Sequence, residues 1–150
     1  LNEEYPGWLY EVNMGATTIW ERWNSVLPDG KVSDTGMNSL NHYAYGSIAA
    51  WMYRWMCGIT PLEDSPGCSR IKIQFIPDDR MEWIQANYDS AAGQYQVGWK
   101  QEKSGQLQVK ITVPFGAEAI FCIPSGYYWT GESGQVTLYK GNYEFLLSKK

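Results

Sequence analysis

Gln106-Leu-Gln-Val-Lys-Ile-Thr-Val113 decides the fold class of the C-terminal part of this chain. Leu107, Val109, Ile111 and Val113 share one face of an extended segment, while Gln106, Gln108, Lys110 and Thr112 share the other. Such alternation marks a strand with one face in a core and the other in water. Further outward, runs of the same type occur at Arg70 to Ile76, Glu82 to Tyr88, Gln94 to Gln101, Ala117 to Ile123, Gln135 to Tyr139 and Asn142 to Leu147. Turn residues separate them at the spacing of an antiparallel β-sandwich. Ser104-Gly105 and Gly141-Asn142 read as hairpin turns. A short final strand is expected to pair back across the sandwich and tie down the C-terminus.

The texture changes upstream of Ile59. Residues 1–58 hold five of the eight tryptophans and few charges, as expected of a segment packed against more protein. Trp8 to Val12 is a short apolar stretch whose helix or strand character is open by period. Thr17 and Thr18 stand where a helix would start, with Glu21 at the capping-box distance from Thr18. Pro28-Asp29-Gly30 reads as a turn, followed by an exposed polar loop to Asn38. From Asn41 a second helix is predicted, with Ala44, Tyr45, Ile48, Met52, Trp55 and Met56 as an apolar core stripe and Gly58 as its stop. The boundary falls near Thr60-Pro61 and Ser65-Pro66-Gly67, so domains of 1–58 and 59–150 are expected.

Bulk properties narrow the function classes. With 44% hydrophobic and 19% charged residues, the 150-residue chain has the composition of a folded domain. A formal net charge of −4 gives no basic face for a polyanion, so nucleic acid and anionic membrane are poor partners. No stretch approaches the roughly 20 apolar residues of a membrane span. Cys57, Cys68 and Cys122 are widely spaced and odd in number, the pattern of small, mostly buried thiols. No metal site or cofactor is expected, because neither a His/Cys cluster nor a glycine-rich phosphate loop is present. The start, Leu1-Asn-Glu-Glu-Tyr-Pro6, carries no signal-peptide pattern and reads as a cut from something longer.

Chemistry concentrates in Gly15-Ala-Thr-Thr-Ile-Trp-Glu-Arg-Trp23 and Asn38-Ser-Leu-Asn-His-Tyr-Ala-Tyr-Gly46. The first sets a carboxylate, Glu21, between two indoles, Trp20 and Trp23; the second contributes the only histidine, His42. Aromatic faces cover the apolar side of a pyranose while polar groups bond its hydroxyls, so the combination suggests a sugar pocket. Two plainer readings stay open: Glu21 as a helix cap, and His42 as a structural residue at a helix start. No other acid has surroundings like those of Glu21, and no Gly-x-Ser-x-Gly elbow accompanies His42.

These two motifs, with Tyr5-Pro-Gly-Trp8, Trp51 through Gly58-Ile59, and the weaker Tyr88-Asp-Ser-Ala-Ala-Gly93 and Trp99, resemble the closing part of bacterial α-L-rhamnosidases, glycoside hydrolase family 78. The resemblance implies an α+β fragment: residues 1–58 as the last helices of a six-hairpin α/α toroid, and 59–150 as the C-terminal β-sandwich. It also implies inverting removal of terminal α-L-rhamnose, with Glu21 as general base and His42, Trp20 and Trp23 binding the sugar. The general acid would lie upstream, on helices this chain lacks, so the piece is expected to be inactive alone. Its partners would be a rhamnoside, the rest of the catalytic domain and, failing that, a second copy meeting it through residues 1–58. A non-catalytic carbohydrate-binding or structural module is the alternative, with Tyr127, Tyr128 and Trp129 as a stacking platform. The sandwich could equally serve only to buttress the catalytic domain.

Overall fold

The computed structural model describes residues 3–130 and 134–150. They form two compact units that divide at Ala49 and Ala50, upstream of the division expected from composition. A short helical region precedes a β-sandwich.

In the first unit, α1 spans Trp8–Asn13, resolving the open stretch as helix. Pro28-Asp29-Gly30 is a turn, as expected, with Gly30 at φ 81° and Val26 bridged to Val32 across it. The helix predicted from Thr17 does not form; residues 16–23 run through bends and turns. Its capping groups have other partners. The Thr18 hydroxyl donates to the Leu40 carbonyl, and the Glu21 carboxylate accepts the Ser39 N–H at 2.8 Å. Long-range bonds to residues 39–40 thus replace the local capping box.

The second predicted helix is present but irregular. Tyr43–Ser47 is a 3₁₀ turn, α2 spans Ile48–Trp51, and Met52–Met56 is π-helical. Its apolar stripe is not core: none of these residues is buried, and Trp55 is 45% exposed. Changing from three to five residues per hydrogen bond rotates successive side chains off one common face, so a stripe drawn at 3.6 residues per turn dissolves. Gly58 ends the segment at φ +79°, where an added Cβ would stand 2.5 Å from the backbone of Gln74 and Phe75. No residue with a side chain fits that approach.

Among the described residues, the second unit has nine strands. One sheet has the order β1 (Ile59–Pro61), β2 (Arg70–Ile73), β6 (Glu118–Cys122), β8 (Gln135–Leu138). The other runs β3 (Trp83–Ser90), β4 (Gly93–Gln101), β5 (Leu107–Val113), β9 (Gly141–Lys149), β7 (Tyr127–Tyr128). All pairings are antiparallel except β2 with β6, which sets Ile71 beside Ala119 and Ile73 beside Phe121. Because parallel neighbours need a long connection, the chain builds β3, β4 and β5 in the opposite sheet before returning.

The alternation of Leu107 to Val113 is realised in full, all four apolar side chains being buried. Val109 lies between Trp99 of β4 and Phe145 of β9 in one inward row. Across the sandwich Phe121 closes the core, with its ring centroid 4.9 Å from that of Phe145 and 6.2 Å from that of Phe75.

Several expectations of detail change. Ser104-Gly105 is a turn between β4 and β5, but Gly141-Asn142 begins β9, and the link from β8 crosses between sheets. The final strand has nine residues and sits inside its sheet between β5 and β7. Tyr127 is buried and Trp129 packs edge-on against Phe145 at 5.2 Å, so these aromatics do not form an exposed platform. Cys57 is buried and Cys68 and Cys122 half-buried, all as free thiols.

Truncating Phe121 removes the ring that joins the two sheets. Phe121→Ala is expected to destabilise the second unit by about 3–5 kcal/mol, seen as a lower urea midpoint with an unchanged slope.

Candidate functional site

The two sequence motifs lie against one another, tied by backbone hydrogen bonds. The N–H of His42 donates to the Ile19 carbonyl at 2.8 Å, and that of Glu21 donates to the Ser39 carbonyl at 2.8 Å. With the side-chain bonds of Thr18 and Glu21 to the same strip, this fixes Glu21 and His42 on neighbouring segments. Glu21 is half-buried. Its Oε2 is held by the Ser39 N–H, and Oε1 has no protein hydrogen-bond partner among the described residues.

His42 caps the 3₁₀ turn, its Nδ1 accepting the Ala44 N–H at 3.4 Å while its ring stacks on Tyr43 at 5.9 Å. The structural reading of the histidine is thus realised at Nδ1, and Nε2 has no hydrogen-bond partner among the described residues. No direct bond joins the Glu21 and His42 side chains among the described residues.

The tryptophans separate. Trp23 is half-buried, stacked on Tyr45 at 5.1 Å and met edge-on by Trp8 at 5.6 Å. Trp20 alternates to the opposite side and is buried at 5% exposure, edge-on to Tyr10. Its ring is engaged in packing, so Trp20 backs the paired motifs rather than walling an opening in this unit.

Four residues that chemistry alone did not flag hold this arrangement. Arg22 reaches across the polar loop, donating to the Thr35 carbonyl, the Thr35 hydroxyl at 3.0 Å and the Met37 carbonyl at 2.6 Å. Asn38 clamps the same loop from inside, its amide donating to the carbonyls of Ser25 and Ser33 at 3.1 and 3.2 Å. Ser25, fully buried, accepts the Arg22 N–H through its hydroxyl. Glu11, 3% exposed, accepts the Trp20 N–H at 3.4 Å through Oε2, with Oε1 unpartnered. Arg22 and Asn38 lie within the two quoted motifs, which was their only signal. Glu11 lies outside both.

Burial raises the Glu11 carboxyl above the ordinary glutamate range, and the Trp20 N–H pulls weakly the other way. No group of three or more His, Cys, Asp or Glu side chains gathers as a metal site among the described residues.

Comparison with known proteins assigns both parts of the chain to domain families. Residues 1–56 match the model of the bacterial alpha-L-rhamnosidase 6 hairpin glycosidase domain, and residues 58–137 that of the bacterial alpha-L-rhamnosidase C-terminal domain. An alpha-L-rhamnosidase of Alteromonas sp. (strain LOR) is 38% identical over 125 residues, and one of Formosa agariphila 41% over 124. Each alignment covers 83% of this chain but 13% of the relative, so the chain spans a small part of the proteins it matches. The crystal structure of an Aspergillus terreus α-L-rhamnosidase superposes with TM-score 0.84 at 31% identity, over 97% of this chain and 16% of that one. The Streptomyces avermitilis alpha-L-rhamnosidase complexed with L-rhamnose gives 0.80 at 31% identity, over 99% and 15%.

The raised Glu11 carboxyl makes the first unit pH-dependent. A folded-state proton affinity above that of the unfolded chain stabilises below the ordinary glutamate range, and that stability is lost as pH rises through the folded value. Hydrogen exchange at the Trp20 and Glu21 amides is expected to quicken as pH rises from the ordinary glutamate range through the raised folded-state value, beyond its intrinsic base-catalysed rise. Glu11→Gln, which keeps an acceptor for the Trp20 N–H, should remove that excess.

Proposed function

The chain belongs to the bacterial alpha-L-rhamnosidases, and we propose that it is the C-terminal part of a glycoside hydrolase that removes terminal α-L-rhamnose with inversion. Residues 1–58 close the catalytic domain in this reading, and residues 59–150 form a separate sandwich. The observation that carries the proposal is the setting of Glu21. It lies in the segment matched to the glycosidase domain, with one carboxylate oxygen bonded to the Ser39 N–H and the other open, beside the strip that bears His42.

An inverting glycosidase needs a base to deprotonate water on one face of the sugar and an acid to protonate the leaving oxygen on the other. Glu21 Oε1 is the base: it takes the water proton while Ser39 holds the carboxylate in orientation. His42 Nε2 bonds a sugar hydroxyl, its ring fixed by Tyr43 and by the cap on Ala44. Trp23, braced by Tyr45 and Trp8, presents an apolar wall to the C6 methyl group of rhamnose, and Trp20 supports the paired motifs from behind.

The acid is supplied from outside this chain, so the 150 residues alone do not turn over substrate. Four buried polar atoms lack partners among the described residues: Glu11 Oε1, Trp8 Nε1, Trp23 Nε1 and Asn38 Oδ1. All four belong to the first unit, and Met37 and Tyr43 there are 82% and 90% exposed. Both features fit a segment completed by the rest of the catalytic domain, or by a second copy when that domain is missing.

The reading is tested in the full-length enzyme with an aryl α-L-rhamnoside. Glu21→Gln is expected to lower kcat by a factor of about 10² to 10⁴ with little change in KM, while His42→Ala acts mainly on KM. NMR of the first sugar released should show the inverted anomer. The 150-residue chain should show no turnover; a rate that scales with its concentration and vanishes in Glu21→Gln would overturn the need for an external acid.

A further inference from the structure

The outer face of the five-stranded sheet carries a groove of about 530 Å³, in a part of the chain that the proposed reaction does not use. Strand register shows how it arises. On the solvent side Gln85, Gly98, Lys110 and Glu144 form one row across β3, β4, β5 and β9. The flanking row is Trp83, Lys100 and Gln108, ending at Leu146. Gly98 has no side chain, so the middle of the sheet is left open between Gln85 and Lys110. Trp83 stands at the rim and is 63% exposed.

The lining mixes apolar and polar surface and carries charges of both signs. Lys100 pairs with Glu102 at 3.3 Å, the Gln108 amide donates to Glu144 at 2.6 Å, and Lys110 faces Glu144 across the strands. Thr112 donates to Asn142 at 2.9 Å. A polyanion finds no field here, and an apolar helix finds too many amides. An exposed indole beside a trough of amide and hydroxyl groups matches a ligand with apolar ring faces and many neutral hydroxyls.

We propose that this groove is a second, non-catalytic saccharide site, which holds a neutral oligosaccharide chain with Trp83 stacked on one ring and Gln85 and Lys110 bonding its hydroxyls. The ligand class rests on the reading that the parent enzyme acts on saccharides; the placement rests on the sheet alone. The site differs from the platform of Tyr127, Tyr128 and Trp129, whose rings are largely taken up in packing.

The test is titration of the ¹⁵N-labelled 150-residue chain with a neutral rhamno-oligosaccharide of four units, up to about 10 mM, a range that reaches weak binding. The expected result is amide shifts confined to residues 83–85, 96–100, 108–112 and 142–144. Trp83→Ala and Gln85→Ala are both at exposed positions; the first should weaken binding at least about tenfold and the second less, with the rest of the spectrum preserved. Glu21→Gln should leave these shifts unchanged. Shifts limited to the segments of Glu21 and His42 would overturn the proposal and leave the catalytic reading standing. Absence of any shift would also overturn it, since the catalytic reading is judged separately by Glu21→Gln in the full-length enzyme. Perturbation of the same sheet residues by protein concentration without sugar would assign the groove to a second copy instead.

Discussion

The indole N–H of Trp99 donates to the Met56 carbonyl at 3.0 Å, and the irregular helical segment is fastened to the sandwich through that bond. Trp99 is a core residue of β4, stacked on Phe75 at 5.8 Å, so the acceptor it reaches is fixed by the packing of the sheet. The helix end must come close enough to be reached, and Gly58 allows this by lying against the backbone of Gln74 and Phe75. Tyr53 adds a bond to the Asn87 carbonyl at 3.1 Å, and the Ile76 N–H reaches the Trp55 carbonyl at 3.4 Å. Residues 50–56 therefore fold with the sandwich, although the hairpin-domain model extends through them.

That anchoring explains what could and could not be read from the sequence. The alternation of Leu107 to Val113 was legible because its period is local and each side chain's fate follows from the strand it sits in. The strands β1 and β7 were not, because Ile59–Pro61 and Tyr127–Tyr128 are too short to show a period and form only where a neighbouring strand offers an edge. The parallel contact of β2 with β6 was hidden for the same reason: it joins segments some fifty residues apart.

At the candidate site the residue types were legible and their arrangement was not. Thr18 and Glu21 satisfy the spacing of a capping box, yet local propensity lost to bonds with residues 39 and 40. Trp20 and Trp23 look equivalent three residues apart on a helix. In the bends and turns observed they diverge, one into the interior with Tyr10 and the other onto Tyr45. Glu11 could not have been found by pattern, since an acid in a short amphipathic helix is ordinarily solvated, and only the folded chain shows its carboxylate turned to the Trp20 N–H.

For the base role proposed above, a carboxylate held from a separate segment is a better setting than a helix start. In a capping box the glutamate is drawn back to its own helix, and its carboxylate is engaged in closing the backbone. Here Ser39 engages one oxygen from a separate segment, so the carboxylate is oriented while its second oxygen stays open to a water. The loop that delivers Ser39 is itself fixed at Arg22 and Asn38, each bonded to backbone carbonyls and not to mobile side chains alone. Three successive layers, Asn38 on the loop, the loop on Ser39, and Ser39 on Glu21, set the position of one carboxylate oxygen. Loss of the outermost layer should therefore be felt at the innermost, because a carboxylate on an unfastened loop spends less of its time aligned for proton transfer.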